Sequence, residues 1–241
     1  MKKSSRKLLI RIAAAVGGLL VISIGLLLLL MRPIPDGRVA EGVWAVKDTS
    51  VNLFIIRGIR GFIAIDAGMN TDEVTQSLRK LSIVPSDVHT VLLTHTDPDH
   101  SGGISAFPNA VRILSSLEEP MILGEEDRIL FGISRSGRNP IADEPYQLVD
   151  PGVTLNIDGR TIQVVSTPGH SPGSTTYIVD GRMAFIGDAG IQSRGTIVPL
   201  PRPLNNSHET AERTIMDFLN SYDGLEYIFT AHDGVWSAGR N

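Results

Sequence analysis

The chain has 241 residues, of which 42% are hydrophobic and 20% charged, the balance of a folded protein and not of a disordered one. Its net charge of −4 is unevenly spread: the first 32 residues hold six of the 22 basic side chains and none of the 26 acidic ones, leaving 16 against 26 in the rest. So acidic a body argues against nucleic acid as a partner, and the absence of cysteine removes disulfides, thiolate metal sites, cysteine nucleophiles and lipidated-cysteine anchors.

Residues 12–31 contain no charge, and Ser23 is their lone polar side chain. As a helix such a run is about 30 Å long, the thickness of a bilayer's hydrocarbon core. Five cations precede it and Arg32 follows, so the positive-inside rule places the N-terminus in the cytoplasm and the remainder outside. The run ends without a small-residue cleavage triplet, which predicts an uncleaved signal anchor: a single-pass cell-membrane protein with an extracytoplasmic body. Cleavage would instead give a secreted protein. The expected organisation is a basic cytoplasmic N-terminus at 1–11, a transmembrane anchor at 12–31, a Pro/Gly linker at 32–38 and one folded domain at 39–241.

Within that domain, apolar runs bounded by Gly or polar turns predict strands at 43–46, 52–56 and 62–65. Residues 71–81 read as a helix, with Val74, Leu78 and Leu81 on one face. The nearly all-apolar run 90–94 predicts a strand covered on both faces. Further strands are expected at 111–114, 153–157, 161–166, 175–179, 183–186 and 227–230, and a helix at 207–219 opened by Ser207. Tyr177 reads as core. Residues 117–150 carry little legible pattern, and 117–137 reads as an amphipathic lid or a helical insertion over the site. Mixed short strands with few helices predict an α/β (α+β) sandwich.

Polar chemistry gathers where those strands end. After the run 90–94 come His95, Asp97, Asp99 and His100, with Pro98 and the pair Gly102 and Gly103 preventing a continued strand. His170 follows a strand in TPGHSPGS at 167–174, Asp188 ends MAFIGD, and His232 lies in FTAHDG. Imidazoles and carboxylates together suit zinc, manganese or ferrous iron. Seven candidates exceed the needs of one four- or five-coordinate ion, so two divalent ions sharing a carboxylate are expected.

THTDPDHSGG at 94–103, TPGHSPGS at 167–174, IGD at 186–188, TAHDG at 230–234 and IDAG at 65–68 together resemble the metallo-β-lactamase-fold hydrolase superfamily. The resemblance runs from about residue 39 to the end. It implies a four-layer αββα sandwich, here preceded by one transmembrane helix, with metals at one edge of the sheets. It also implies that His95, Asp97 and His170 hold the first ion, that Asp99, His100 and His232 hold the second, that Asp188 bridges and that Asp66 orients an imidazole from behind. The family's usual motif is H-x-H-x-D-H, and Asp97 replaces its second histidine. That carboxylate is similar to the motif of flavodiiron oxidoreductases and shifts preference toward iron or manganese, with zinc still the principal expectation.

The expected activity is metal-dependent hydrolysis of a small-molecule ester, lactone, thioester, amide or phosphoester by a metal-bound hydroxide that Asp99 orients. The alternatives are a di-iron oxidoreductase-like site and a metal-binding protein with impaired hydrolysis.

Overall fold

The computed structural model describes residues 31–238 together with residues 17, 18 and 25. The basic N-terminus and nearly all of the expected anchor at 12–31 lie outside these residues. Among the described residues no helix is long and apolar enough to cross a membrane.

Alternation along the strands sets the layers. Among the described residues the first sheet contains β1 (Gly37–Ala40), β2 (Val43–Asp48), β3 (Val51–Arg57), β4 (Phe62–Ile65), β5 (Val88–Leu92) and β6 (Val111–Ser115). A hairpin of β7 (Arg128–Leu130) and β8 (Ile133–Arg135) intervenes before its last strand, β9 (Gln147–Val149). The spatial order is β1-β2-β3-β4-β5-β6-β9, antiparallel as far as β4 and parallel beyond it. The second sheet contains β10 (Thr154–Ile157), β11 (Arg160–Ser166), β12 (Thr175–Val179) and β13 (Met183–Gly187). After the hairpin of β14 (Ile191–Ser193) and β15 (Thr196–Val198), it closes with β16 (Tyr227–Thr230) and β17 (Gly234–Ser237). Its order is β10-β11-β12-β13-β16-β17, with β13 and β16 parallel.

Successive side chains of a strand point to opposite faces, and the central strands are apolar on both. Along β3, Leu53 and Ile55 join an outer core with Val74 and Leu78, whereas Phe54 and Ile56 face the second sheet. Along β13, Met183 and Phe185 meet Phe54 between the sheets, whereas Ala184 and Ile186 pack outward with Ile215 and Phe218. Val74 and Leu78 belong to α1 (Thr71–Lys80), and Ile215 and Phe218 to the C-terminal helix His208–Ser221. The layers are therefore helix, sheet, sheet, helix, as the family resemblance implies. Between the sheets, Phe185 stacks on Phe229 at 4.4 Å and 7°, and Phe54 lies 5.1 Å from Phe229.

The helices begin where their caps dictate. Asn70 Oδ1 accepts from the backbone N–H of Asp72 and Glu73 at 2.9 and 3.1 Å, and Ser207 Oγ accepts from that of Thr210 at 3.3 Å. Two short helices separate these: α2 (Pro98–Ser101) and α3 (Glu119–Leu123), so the helix His208–Ser221 is α4.

Two stretches differ from expectation. The first strand starts at Gly37, within the stretch read as linker, because Gly37 and Arg38 pair with Ala45 and Trp44 of β2. The region 117–137 is not a helical insertion: α3 ends at Gly124, which takes the left-handed C-cap conformation, and the β7–β8 hairpin follows.

Loops that meet at one edge of the sheets are tied by a buried carboxylate. Glu118, 1% exposed, accepts from Thr96 N at 3.0 Å, Thr96 Oγ1 at 2.9 Å and Ser171 Oγ at 2.7 Å. Burial pushes its pKa upward, only partly offset by those hydrogen bonds. Nothing in the sequence reading marked it.

Two outcomes follow from the packing. Phe229→Ala should destabilise the domain by about 3–5 kcal/mol, the usual cost of deleting a buried aromatic, read by urea denaturation. Unfolded Glu118 ionises near the ordinary value of 4.5, and its folded pKa is raised. The folded state thus holds that proton more tightly, and Glu118 costs stability as pH rises from there through its folded value. With chelator present throughout, Glu118→Gln should gain on the parent between pH 4 and pH 8; a pH-independent difference would refute the assignment.

Candidate metal centre

Strand ends carry the site because backbone polar groups there lack ladder partners and turn the chain over the sheet edge. Asp66 follows β4, His95 lies just beyond β5, Asp188 follows β13 and His232 follows β16. The pairs β4–β5 and β13–β16 are parallel, so four carboxyl-terminal ends converge, the place where open sheets bind ligands. Gly187 permits the turn into Asp188. Its φ is +51°, and a Cβ there would lie 2.4 Å from Thr94 Oγ1.

All seven expected ligands come together. The donor atoms of His95, Asp97 and His170 lie within 4.8 Å of one another, as do those of Asp99, His100 and His232, and those of His95, His100 and Asp188. Asp188 reaches both halves: its Oδ2 is 3.5 Å from His170 Nε2, and its Oδ1 is 3.2 Å from His100 Nε2 and 3.1 Å from His232 Nε2. Asp99 Oδ2 is 3.9 Å from His100 Nε2 and 3.7 Å from His232 Nε2.

Three imidazoles are oriented from behind. Asp66 accepts from His100 Nδ1 at 2.9 Å. The carbonyl oxygen of Ser50 accepts from His232 Nδ1 at 2.7 Å. The Thr94 hydroxyl donates to Asp66 at 2.9 Å, so its oxygen is the acceptor for His95 Nδ1 at 3.1 Å. With Nδ1 donating in each case, Nε2 is the ring atom turned to the centre, where a metal would take the place of its proton. His95 Nε2, His100 Nε2 and Asp188 Oδ1 are buried with no hydrogen-bond partner among the described residues. Unpaired buried acceptors are costly, and a divalent cation is the ligand that satisfies all three. The residues present fit a metal ion on this side.

Electrostatics points the same way. His232 is pushed up to about 9: burial opposes this and the carboxylate of Asp188 dominates. His100 is raised well above the usual value, since Asp188, Asp66 and Asp99 outweigh its burial. Asp188 is held well below the usual carboxylate range, where His232 and His100 overcome burial. His95 is lowered, chiefly by burial and then by repulsion from His100 and His170. The His100 side of the centre is a place that favours positive charge.

One residue in the site has no counterpart in the sequence reading. Arg128, 7% exposed at the root of the β7–β8 hairpin, directs Nε at both carboxylate oxygens of Asp97, each at 3.0 Å. Its Nη2 lies 2.8 Å from His170 Nε2. It stands 31 residues beyond Asp97 in the least legible part of the chain, and the one signal was a cation inside an apolar hairpin. Beside it opens a cleft of about 270 Å³, lined also by Thr96, Met121, Leu130 and Arg135.

Tyr177 is wholly buried and donates to Leu93 O at 2.9 Å, joining the sheets beneath the site. Its place is the core, as expected.

The profile of the Metallo-beta-lactamase superfamily matches residues 46–232. An atrochrysone carboxyl ACP thioesterase of Aspergillus terreus is 28% identical over 149 residues, covering 60% of this chain and 40% of the relative. An N-acyl homoserine lactonase of Bacillus thuringiensis is 28% identical over 109 residues, 45% of this chain and 40% of the relative. The chain thus spans well under two thirds of either relative. Among solved structures, MEM-A1, a subclass B3 metallo-β-lactamase from a soil metagenome library, superposes with a TM-score of 0.63 at 19% identity, covering 84% of this chain and 81% of that one. A B3 metallo-β-lactamase with an active-site glutamic acid gives a TM-score of 0.62 at 19% identity, with 87% and 85% covered; both likenesses are of fold. Since the profile spans more than half of the chain and the metal-binding geometry lies where four strand ends meet, the protein belongs to the metallo-β-lactamase superfamily.

Proposed function

We propose that the protein hydrolyses a carbonyl substrate, a thioester or lactone first among them, at the centre formed by His95, Asp99, His100, Asp188 and His232. The observation that carries this is the convergence of buried, partnerless acceptors on His95, His100 and Asp188. Thioesterase and lactonase activities are properties of the relatives, and they support the choice of substrates to test. Zinc is the proposed ion, since imidazole nitrogens predominate among the inward-facing donors. Asp97, whose carboxylate motivated the iron reading, has both oxygens engaged by Arg128.

When bound, the ion supplies Lewis acidity and lowers the pKa of water. The chain does the rest. Asp99 follows the kink at Pro98, with its side chain 23% exposed, so it is the ligand-set carboxylate turned most toward solvent. It orients the attacking water and takes a proton from it as the oxygen adds to the carbonyl carbon. The same proton then passes to the departing oxygen or sulfur as that bond breaks. Asp66, Ser50 and Thr94 hold the imidazoles still. The cleft beside Arg128 offers Met121 and Leu130 to the apolar part of a substrate and Arg135 to a polar end.

The residue 12–31 segment is proposed to anchor the protein in the cell membrane, with the hydrolase body outside the cytoplasm. Its support is the uncharged twenty-residue run and the five preceding cations. Resistance of the protein to carbonate extraction from membranes would agree; release would refute it.

Purified full-length chain should hydrolyse members of a thioester and lactone panel, lose activity to a chelator and regain it with zinc. Asp99→Asn should lower kcat/KM by about 10²- to 10⁴-fold, with the circular dichroism of the parent. His100→Ala should abolish activity and zinc retention together. Unchanged turnover in both variants would exclude this centre as the catalyst.

A further inference from the structure

The guanidinium of Arg128 sits in a fully built pocket. Its Nε–H donates to Asp97. The two protons of Nη1 go to Ile129 O at 2.8 Å and Asn206 Oδ1 at 2.6 Å. Those of Nη2 go to Leu204 O at 2.9 Å and His170 Nε2 at 2.8 Å. All five donors of the side chain are thereby used. Asn206 is itself held, by Asp127 O on its amide nitrogen at 2.9 Å and by Ile129 N on its oxygen at 2.9 Å, so the pocket does not depend on a loose side chain.

This arrangement has consequences for the Asp97 and His170 half of the centre. A guanidinium nitrogen can only donate, so in the 2.8 Å contact His170 Nε2 is the acceptor; the same ring nitrogen lies 3.1 Å from Asp97 Oδ2, so Arg128 and Asp97 converge on it together. A neutral imidazole has one accepting lone pair, and one already accepting a proton is not available to a metal. Both oxygens of Asp97 face the same cation in a charge-assisted fork. A divalent ion placed between them would stand against a buried positive charge, where repulsion is least screened. On the opposite side the conditions are reversed: His95 Nε2, His100 Nε2 and Asp188 Oδ1 have no hydrogen-bond partner among the described residues, and their donor atoms lie within 4.8 Å of one another.

We propose that Arg128 occupies the place of the first of the two expected ions, so that the chain binds a single divalent ion, among His95, Asp99, His100, Asp188 and His232. Asp97 and His170 then serve as the seat of a fixed organic cation beside that ion, and Arg128 becomes a charge facing the substrate cleft. This rests on the metallohydrolase reading and adds to it the number of ions and the identity of the group that replaces the second.

The test is a count. Full-length chain is stripped with chelator, titrated with Zn²⁺ in a calorimeter and, after desalting, analysed for zinc per chain. The parent should take one equivalent. Arg128→Met, which frees Asp97 and His170, should take two. Arg128→Gln is carried alongside as a variant that retains polar contacts, and the count is read on whichever variant keeps the parent's circular dichroism. Two equivalents in the parent would overturn the inference, and accompanying hydrolysis would leave the metallohydrolase reading standing. No zinc and no hydrolysis in the parent would overturn both. One equivalent in the parent and in a folded variant would show that Arg128 is not what excludes the ion.

Discussion

The Asp66 carboxylate, buried at the end of β4, is the contact on which the centre depends. It accepts from the backbone and hydroxyl of Thr94 and from Nδ1 of His100. One side chain thereby joins the ends of two neighbouring parallel strands and sets the direction of an imidazole. Through the Thr94 hydroxyl it also governs His95. Asp66 itself sits at φ +63°, a conformation that aspartate tolerates better than most residues, and strained backbone of this kind persists where surroundings hold it. Without this anchor the imidazoles of His95 and His100 would lose the contacts that turn their Nε2 atoms to one point.

The packing of two sheets makes that point a site. Residues 95 and 232 stand far apart in the chain, yet contacts across the sheets bring their loops together: Asn52 N donates to Ala231 O at 2.7 Å and Thr175 N to Thr94 O at 2.9 Å. Phe54, Phe185 and Phe229 fill the space below. Hydrophobic burial supplies the driving force without direction, and the hydrogen bonds at the edge supply the direction. Such a division suits a fold that hosts many activities, since the core is independent of what the loops bind.

Arg128 changes the chemistry expected of the loops. The centre carries imidazoles, carboxylates and a guanidinium packed together, and the guanidinium comes from a hairpin that also walls the cleft. A rigid cation whose donors are all engaged acts on a substrate in the cleft through its charge alone, whereas an ion would act by coordination. The hairpin thus connects the architecture of the metal centre to the selection of substrate, two properties that are usually separable.

Much of this was legible in the chain. Apolar runs broken by Gly and polar turns marked most strands of the two sheets, because each central strand is buried on both faces. Ser207 marked the start of the last helix through its cap. The spacing of His95, Asp97, Asp99 and His100, and the placing of His170, Asp188 and His232 after strands, picked out the seven imidazole and carboxylate residues whose donor atoms meet there, since such clusters carry a local pattern. Glu118, Arg128 and the β7–β8 hairpin were not legible. Their roles come from partners 22 to 78 residues away, and a lone Glu or Arg in an irregular stretch looks like any solvated charge. The sequence by itself determined which groups are available to the centre, because residue type and strand-end position are local properties. Only the tertiary structure decided which lone pairs remain free for a metal and which are taken by Arg128, because that depends on which distant side chains burial forces together.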